Sequence, residues 1–126
     1  MNIVLWILAG LLAVVFATSG TSKLVGSRDR LIERTPYVGD LPHPTVRGIG
    51  ALEVLGAIGL ILPPLLGIAP ILAAFAAAGL AVTMVSAAFV HLRRGDGIGA
   101  AIPAIVLGLL SVLVSWLRFG PVPFPA

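Results

Sequence analysis

Glu53 is a carboxylate inside an otherwise apolar run from Gly48 to Leu62. Within hydrocarbon such a group is costly. It ordinarily faces a bundle interior or a water-filled cavity, pairs with a cation, or relays protons. Its helical face repeats at Gly50, Gly56 and Ala57, small residues that either admit a neighbouring helix or leave room for a ligand. Lys23 closes another apolar run, with Ser19 one turn earlier, and is the cation expected at a similar depth. A Lys23–Glu53 pair offsets part of the desolvation cost of both groups. His91 closes a third run, with Thr83 and Ala87 on its face, and imidazole is a side-chain type suited to carrying protons. Arg47, about one and a half turns before Glu53, offers a planar guanidinium for an anionic headgroup.

Each of these residues also has a purely structural reading. Glu53 and Lys23 can be a register-fixing ion pair. Lys23 can snorkel to the interface, His91 can be a hydrogen-bonded structural histidine, and Arg47 can sit among lipid phosphates. Their combination points further. Ser19, Lys23, Arg47, Glu53, Thr83 and His91 are expected at overlapping depths near one end of the molecule, where inward side chains of a bundle build a pocket. As a binding site all six take part. For acid–base chemistry the catalytic candidates are Glu53, His91 and Lys23.

Other chemistry is set aside. The chain has no cysteine, so disulfides, Cys-ligated zinc, iron–sulfur clusters and thiol redox reactions are excluded. The two histidines, His43 in a loop and His91 in an apolar run, are not expected to meet on a haem. No zinc-protease, EF-hand or phosphate-loop motif is present. The sequence shows no carboxylate–histidine cluster at di-metal spacing, and it assembles no Ser/His/Asp triad. Gly48-Ile49-Gly50 follows no strand and is no dinucleotide fingerprint. No metal is expected, and no cofactor is named.

The elements that position these residues follow from composition. Of 126 residues, 59% are hydrophobic and only 10% are charged, against about 25% charged in a soluble domain. So few charges cannot cover the surface of a small soluble fold. A soluble enzyme, a disordered chain and a nucleic-acid-binding domain are all poor readings, despite a pI near 10.7. Four stretches are apolar enough to span a bilayer, at about 3–25, 46–62, 71–92 and 98–117. The expected fold is a single all-α domain, an antiparallel bundle of four transmembrane helices.

The connections complete the expectation. The polar stretch 26–45 is the only long loop. Its first part suits a short interfacial helix, and its Pro-rich second part is expected to be non-helical. Pro63-Pro64 and Gly67 predict one tight turn, and Arg93-Arg94-Gly95-Asp96-Gly97 another. The tail from Gly120 to Pro125 is not helical. The first span lacks a basic flank and a cleavage site, which speaks against a signal peptide. Lys23, Arg28, Arg30, Arg34, Arg47, Arg93 and Arg94 share one side, while the other holds Arg118 and the amino terminus. The positive-inside rule places the loaded side in the cytoplasm and both termini outside, in what is expected to be a bacterial cytoplasmic membrane.

Several segments resemble the DoxX-like family of small membrane proteins. Gly20-Thr21-Ser22-Lys23-Leu24 is similar to its GxxKL segment, and Gly50 to Pro63 resembles its second-span motif. The stretch from Met84 to Gly95 and the closing Arg118-Phe119-Gly120-Pro121 also fit its pattern. The resemblance covers nearly the whole chain and implies a four-helix membrane bundle. It implies a less definite activity. Namesake members are linked to a thiosulfate:quinone oxidoreductase, others to oxidative-stress complexes, and distant ones act as membrane chaperones or cargo receptors. Lys23, Glu53 and His91 carry over as motif positions.

Three functions are in view. One is a quinone-like, lipophilic-ligand-binding or accessory subunit of a membrane redox system, with Lys23 and His91 bonding the ligand's oxygens. Another is a small membrane enzyme doing isomerisation, cyclisation or epoxide opening on a lipophilic substrate. The third is a structural or assembly factor. Ion permeation is disfavoured, because the outer half of the spans is dry. Expected partners are membrane lipids, a lipophilic small molecule, and a second copy or a membrane redox protein. The small residues Gly48, Gly56 and Gly59 serve intramolecular packing or dimerisation equally well.

Overall fold

The computed structural model describes residues 2–124, apart from the side chain of Tyr37. It is all-helical there: α1 Asn2–Val25, α2 Arg28–Arg34, a 3-10 turn Pro36–Asp40, α3 His43–Leu66, α4 Leu72–Arg94 and α5 Ile98–Phe119. The short α2 begins where the Ser27 hydroxyl accepts the Arg30 N–H at 3.3 Å, satisfying an otherwise orphaned donor. It stops before Pro36, because a residue preceding proline disfavours helical geometry.

Four details differ from the sequence expectation. Span two is not short: it begins at His43 and runs for 24 residues. Pro44 sits in its first turn, where a missing N–H costs no intrahelical bond. At its other end Pro63 and Pro64 lie inside α3 rather than in a turn. Their fixed φ suits the helix, and their carbonyls accept the capping N–H groups of Ile68 and Gly67 at 3.0 and 3.3 Å. The reversal comes at Gly67, whose φ of 69° is left-handed. Arg93 and Arg94 are likewise the last residues of α4, with the left-handed break at Gly95. Finally, the Pro-rich part of the long loop is not wholly irregular, since Pro36–Asp40 forms the 3-10 turn.

The four long helices are each long and apolar enough to cross a membrane. In chain order they run antiparallel, α1 packing on α3, α3 on α4 and α4 on α5, with a lighter α1–α5 contact closing the ring. Leu5, Leu12, Phe16, Leu60, Leu80 and Val114 fill the interior. Small residues bring the helices close. Ala74, Ala77 and Ala81 of α4 are buried, as are Ala101, Ala104, Gly108 and Ser111 of α5. The Ser115 hydroxyl donates across that seam to the Ala74 carbonyl at 3.0 Å. Gly56 faces Leu80 and Gly59 faces Ala76. Both glycines therefore serve packing within the chain, whereas Gly48 meets nothing.

The outer surface is apolar as well. Ile7, Leu11, Leu55, Val85, Leu109 and Trp116 are all exposed. Such a continuous apolar surface is stable only against lipid, and the chain is an integral membrane protein. A second small core of Leu31, Val38 and Val46, flanked by Leu41 and Val90, pins α2 and the 3-10 turn under the basic end of the bundle.

Candidate functional site

The site begins where α1 crosses α3. A Cβ added to Gly20 would lie 2.6 Å from the Gly50 carbonyl oxygen, and one on Gly50 would lie 2.8 Å from the Lys23 Cβ. Only glycine permits this approach. It sets Lys23 beside the next turn of α3. There its Nζ donates to Glu53 Oε1 at 2.7 Å and to Ser19 Oγ at 2.8 Å. Glu53 is 1% exposed and is the only buried acidic residue among those described. The sequence expectation of a Lys23–Glu53 pair with Ser19 alongside matches this geometry.

The pair leaves one atom unanswered. Glu53 Oε2 is buried and has no hydrogen-bond partner among the described residues. A buried carboxylate oxygen without a donor costs free energy and is rare in native structures. Glu53 also lines a cavity of about 320 Å³ between α3 and α4. Leu41 and Thr45 stand towards its basic end, with Leu52, Thr83 and Met84 around it. The lining is largely apolar, and Glu53 is its one titratable group. A second cleft, about 630 Å³, continues between the same two helices past Gly59 to Pro63 and Phe75. The two share Leu52, Val82 and Thr83, so they adjoin along one largely apolar seam that runs from Glu53 towards the opposite end.

The other expected site residues separate. Thr83 lines both clefts, and its hydroxyl donates back to the Gly79 carbonyl at 3.0 Å. Arg47 is exposed and lines neither cleft. His91 does not line the cavity either. Its Nδ1 lies 3.0 Å from Asp96 Oδ2, and the neighbouring Arg94 pairs with Asp40 at 2.7 Å. This group ties the 3-10 turn to the end of α4. The pairing of His91 with Asp96 follows from the glycine break at Gly95, which folds the chain back towards the last turn of the helix.

One buried charge was missed from sequence. Arg118 lies at the opposite end of the bundle and is 3% exposed. It donates to Asn2 Oδ1 at 2.7 Å and to the Val122 carbonyl at 3.1 Å. Its guanidinium also covers the Phe124 ring at 3.7 Å. The signal available was weak: a single cation between an apolar helix and a proline-rich tail.

Among the described residues no cluster of three or more His, Asp or Glu side chains is arranged to hold a metal ion. The sequence profile of the DoxX-like family matches residues 7–114, a stretch that contains every residue of the Ser19–Lys23–Glu53 group and both clefts. No curated protein and no solved structure matches the chain.

Proposed function

The chain belongs to the DoxX-like family, and from that premise we propose that it binds a lipophilic molecule with a hydroxyl-bearing head, as an accessory subunit of a membrane redox system. The observation that carries this reading is the orphaned Glu53 Oε2 beside an apolar cleft. Lys23 Nζ donates to Oε1, and a carboxylate so paired offers Oε2 as a hydrogen-bond acceptor. Its free oxygen therefore selects a donor. A hydroquinone O–H meets that requirement, and a quinone carbonyl does not. The apolar path past Leu52 and Val82 accommodates a long hydrocarbon tail, which fits the usual build of ligand sites: mostly apolar with a few placed polar groups.

This assigns roles differently from the sequence reading. Glu53 is the ligand-facing group and Lys23 its positioning partner, with Ser19 holding Lys23. Thr83 contributes to the wall. His91 and Arg47 act at the basic rim. By the positive-inside rule that rim faces the cytoplasm and both termini face outward.

Acid–base catalysis is the weaker reading, because proton exchange across a substrate calls for an acid and a base in reach of it. The cleft offers only Glu53 as a titratable group. A purely structural role has one specific observation in its favour, the close Gly20–Gly50 crossing that the ion pair accompanies. It leaves Oε2 without a purpose.

The test is native mass spectrometry with lipid extraction on protein taken gently from its own membrane. Wild type, Glu53→Gln and Ala87→Phe are compared, the last filling the cleft without touching the ion pair. A hydroxylated or hydroquinone lipophile present in wild type, and lost on filling the cleft, supports the proposal. Identical extracts from all three proteins would sink it.

A further inference from the structure

A second feature at the basic end is chemically unlike the Glu53 cleft. A groove of about 920 Å³ lies between the end of α1 and the short helix α2. Its polar lining includes Thr21, Ser22, Arg30 and Arg34, and Ala17 and Val25 supply apolar wall. Arg30 and Arg34 are one helical turn apart and so share a face of α2.

The other cations at this end are engaged or lie elsewhere. Lys23 pairs with Glu53, Arg94 with Asp40 and Asp96, and Arg28 donates to the Gly39 carbonyl. Arg47 and Arg93 are exposed and do not line the groove. No carboxylate of a described residue pairs with Arg30 or Arg34. The acidic residues of α2, Asp29 and Glu33, do not line the groove either. The structure thus leaves two guanidiniums together, uncompensated, beside two hydroxyl side chains. Guanidinium pairs match phosphate oxygens in number and geometry.

The surroundings decide which phosphate. The groove sits where α1 ends and α2 begins, at the boundary of the first apolar span. From it the outward face of α1 continues through Thr18 to Val14 and Leu11, the last two 65% and 62% exposed. A phosphate bound at Arg30 and Arg34 would therefore have an apolar strip directly beneath it, suited to an acyl chain. We propose that this groove binds the headgroup phosphate of an anionic phospholipid, clamped by Arg30 and Arg34, with a chain laid along α1. Basic clusters at the hydrocarbon boundary attract anionic lipid by about fivefold per cation. The two together account for about 30-fold selectivity over a zwitterionic lipid.

The test uses the full chain, stripped of lipid in detergent and offered equal amounts of phosphatidylglycerol and phosphatidylcholine. Retained lipid is read by native mass spectrometry. Wild type is expected to retain phosphatidylglycerol selectively. Arg30→Gln with Arg34→Gln should remove about 30-fold of that preference, while Arg93→Gln at the same end should keep it. Neither guanidinium has a hydrogen-bond or ion-pair partner among the described residues, so the variants should melt as wild type does. Inorganic phosphate added in excess should leave the lipid in place. The proposal is overturned if the double variant keeps its preference, since the groove then binds nothing. It is also overturned if Arg93→Gln loses as much, which would mean diffuse charge. Displacement of the lipid by inorganic phosphate would likewise overturn it, as the site would then be for a free anion.

Discussion

Gly20 and Gly50 meet backbone to backbone: a Cβ on either would lie within 2.7 Å of the other's carbonyl oxygen. This crossing brings α1 and α3 into backbone contact at the basic end. It fixes the reach of Lys23, which leaves α1 three residues beyond Gly20, to Glu53, three residues beyond Gly50. Helix register and charge pairing are therefore one problem here, solved by two absent side chains.

Gly50→Ala should separate the helices, because the added methyl meets backbone and the Lys23 Cβ rather than a flexible side-chain end. Overpacking of this kind costs about 1–3 kcal/mol. Gly48→Ala, two residues away, meets nothing within 4 Å and should be neutral or gain about 0.5–1 kcal/mol in helix propensity. Unfolding midpoints in one detergent compare the two. Equal midpoints would show that the crossing is not under steric limit.

The ion pair should behave non-additively. Lys23→Met leaves Glu53, 1% exposed, as a buried charge without its cation, at a cost of about 3–5 kcal/mol. Glu53→Gln should cost less, since an amide oxygen still accepts from Lys23 Nζ. Lys23→Met combined with Glu53→Leu removes both charges and should recover most of the loss. A double-mutant cycle on unfolding free energy, built from Lys23→Met, Glu53→Leu and the two combined, measures the coupling. A coupling near zero would mean that each group is solvated independently.

The contrast between Glu53 and Arg118 shows what the sequence made legible. The four spans follow from composition, because no other environment stabilises so apolar a chain. Glu53 stands out against that background, and antiparallel neighbours must place Lys23 at its depth. Arg118 carries no such signal, since its partner Asn2 is 116 positions away in sequence and its aromatic cover comes from the tail. The helix ends at Pro63-Pro64 misled for a local reason: proline reads as a breaker, yet its φ is helical and its carbonyl still caps. The apolar path between α3 and α4 depends on how side chains from two helices fail to fill a seam. Periodicity carries no such information, so the separation of His91 from Glu53 was not readable either.

Arg118 makes the last expectation the most specific. Its Nη1 holds Asn2 and the Val122 carbonyl, its face covers Phe124 at 3.7 Å, and Phe124 meets the edge of Trp6 at 5.5 Å. One guanidinium thereby joins the start of α1, the end of α5 and the tail. Lysine at this position keeps the charge but lacks the planar face and the forked donors. Losing a desolvated cation–π contact and a hydrogen bond should cost the tail about 2 kcal/mol of local stability. The Val122 N–H, which donates to the Leu117 carbonyl at 2.8 Å, reports this directly. Hydrogen exchange at Val122 should be roughly 30-fold faster in Arg118→Lys than in wild type, while exchange in the middle of α1 and α3 is unchanged. An unchanged Val122 rate would show that the turn holds itself, through Gly120 and Pro121 alone, and that the buried guanidinium serves only the α1–α5 seam.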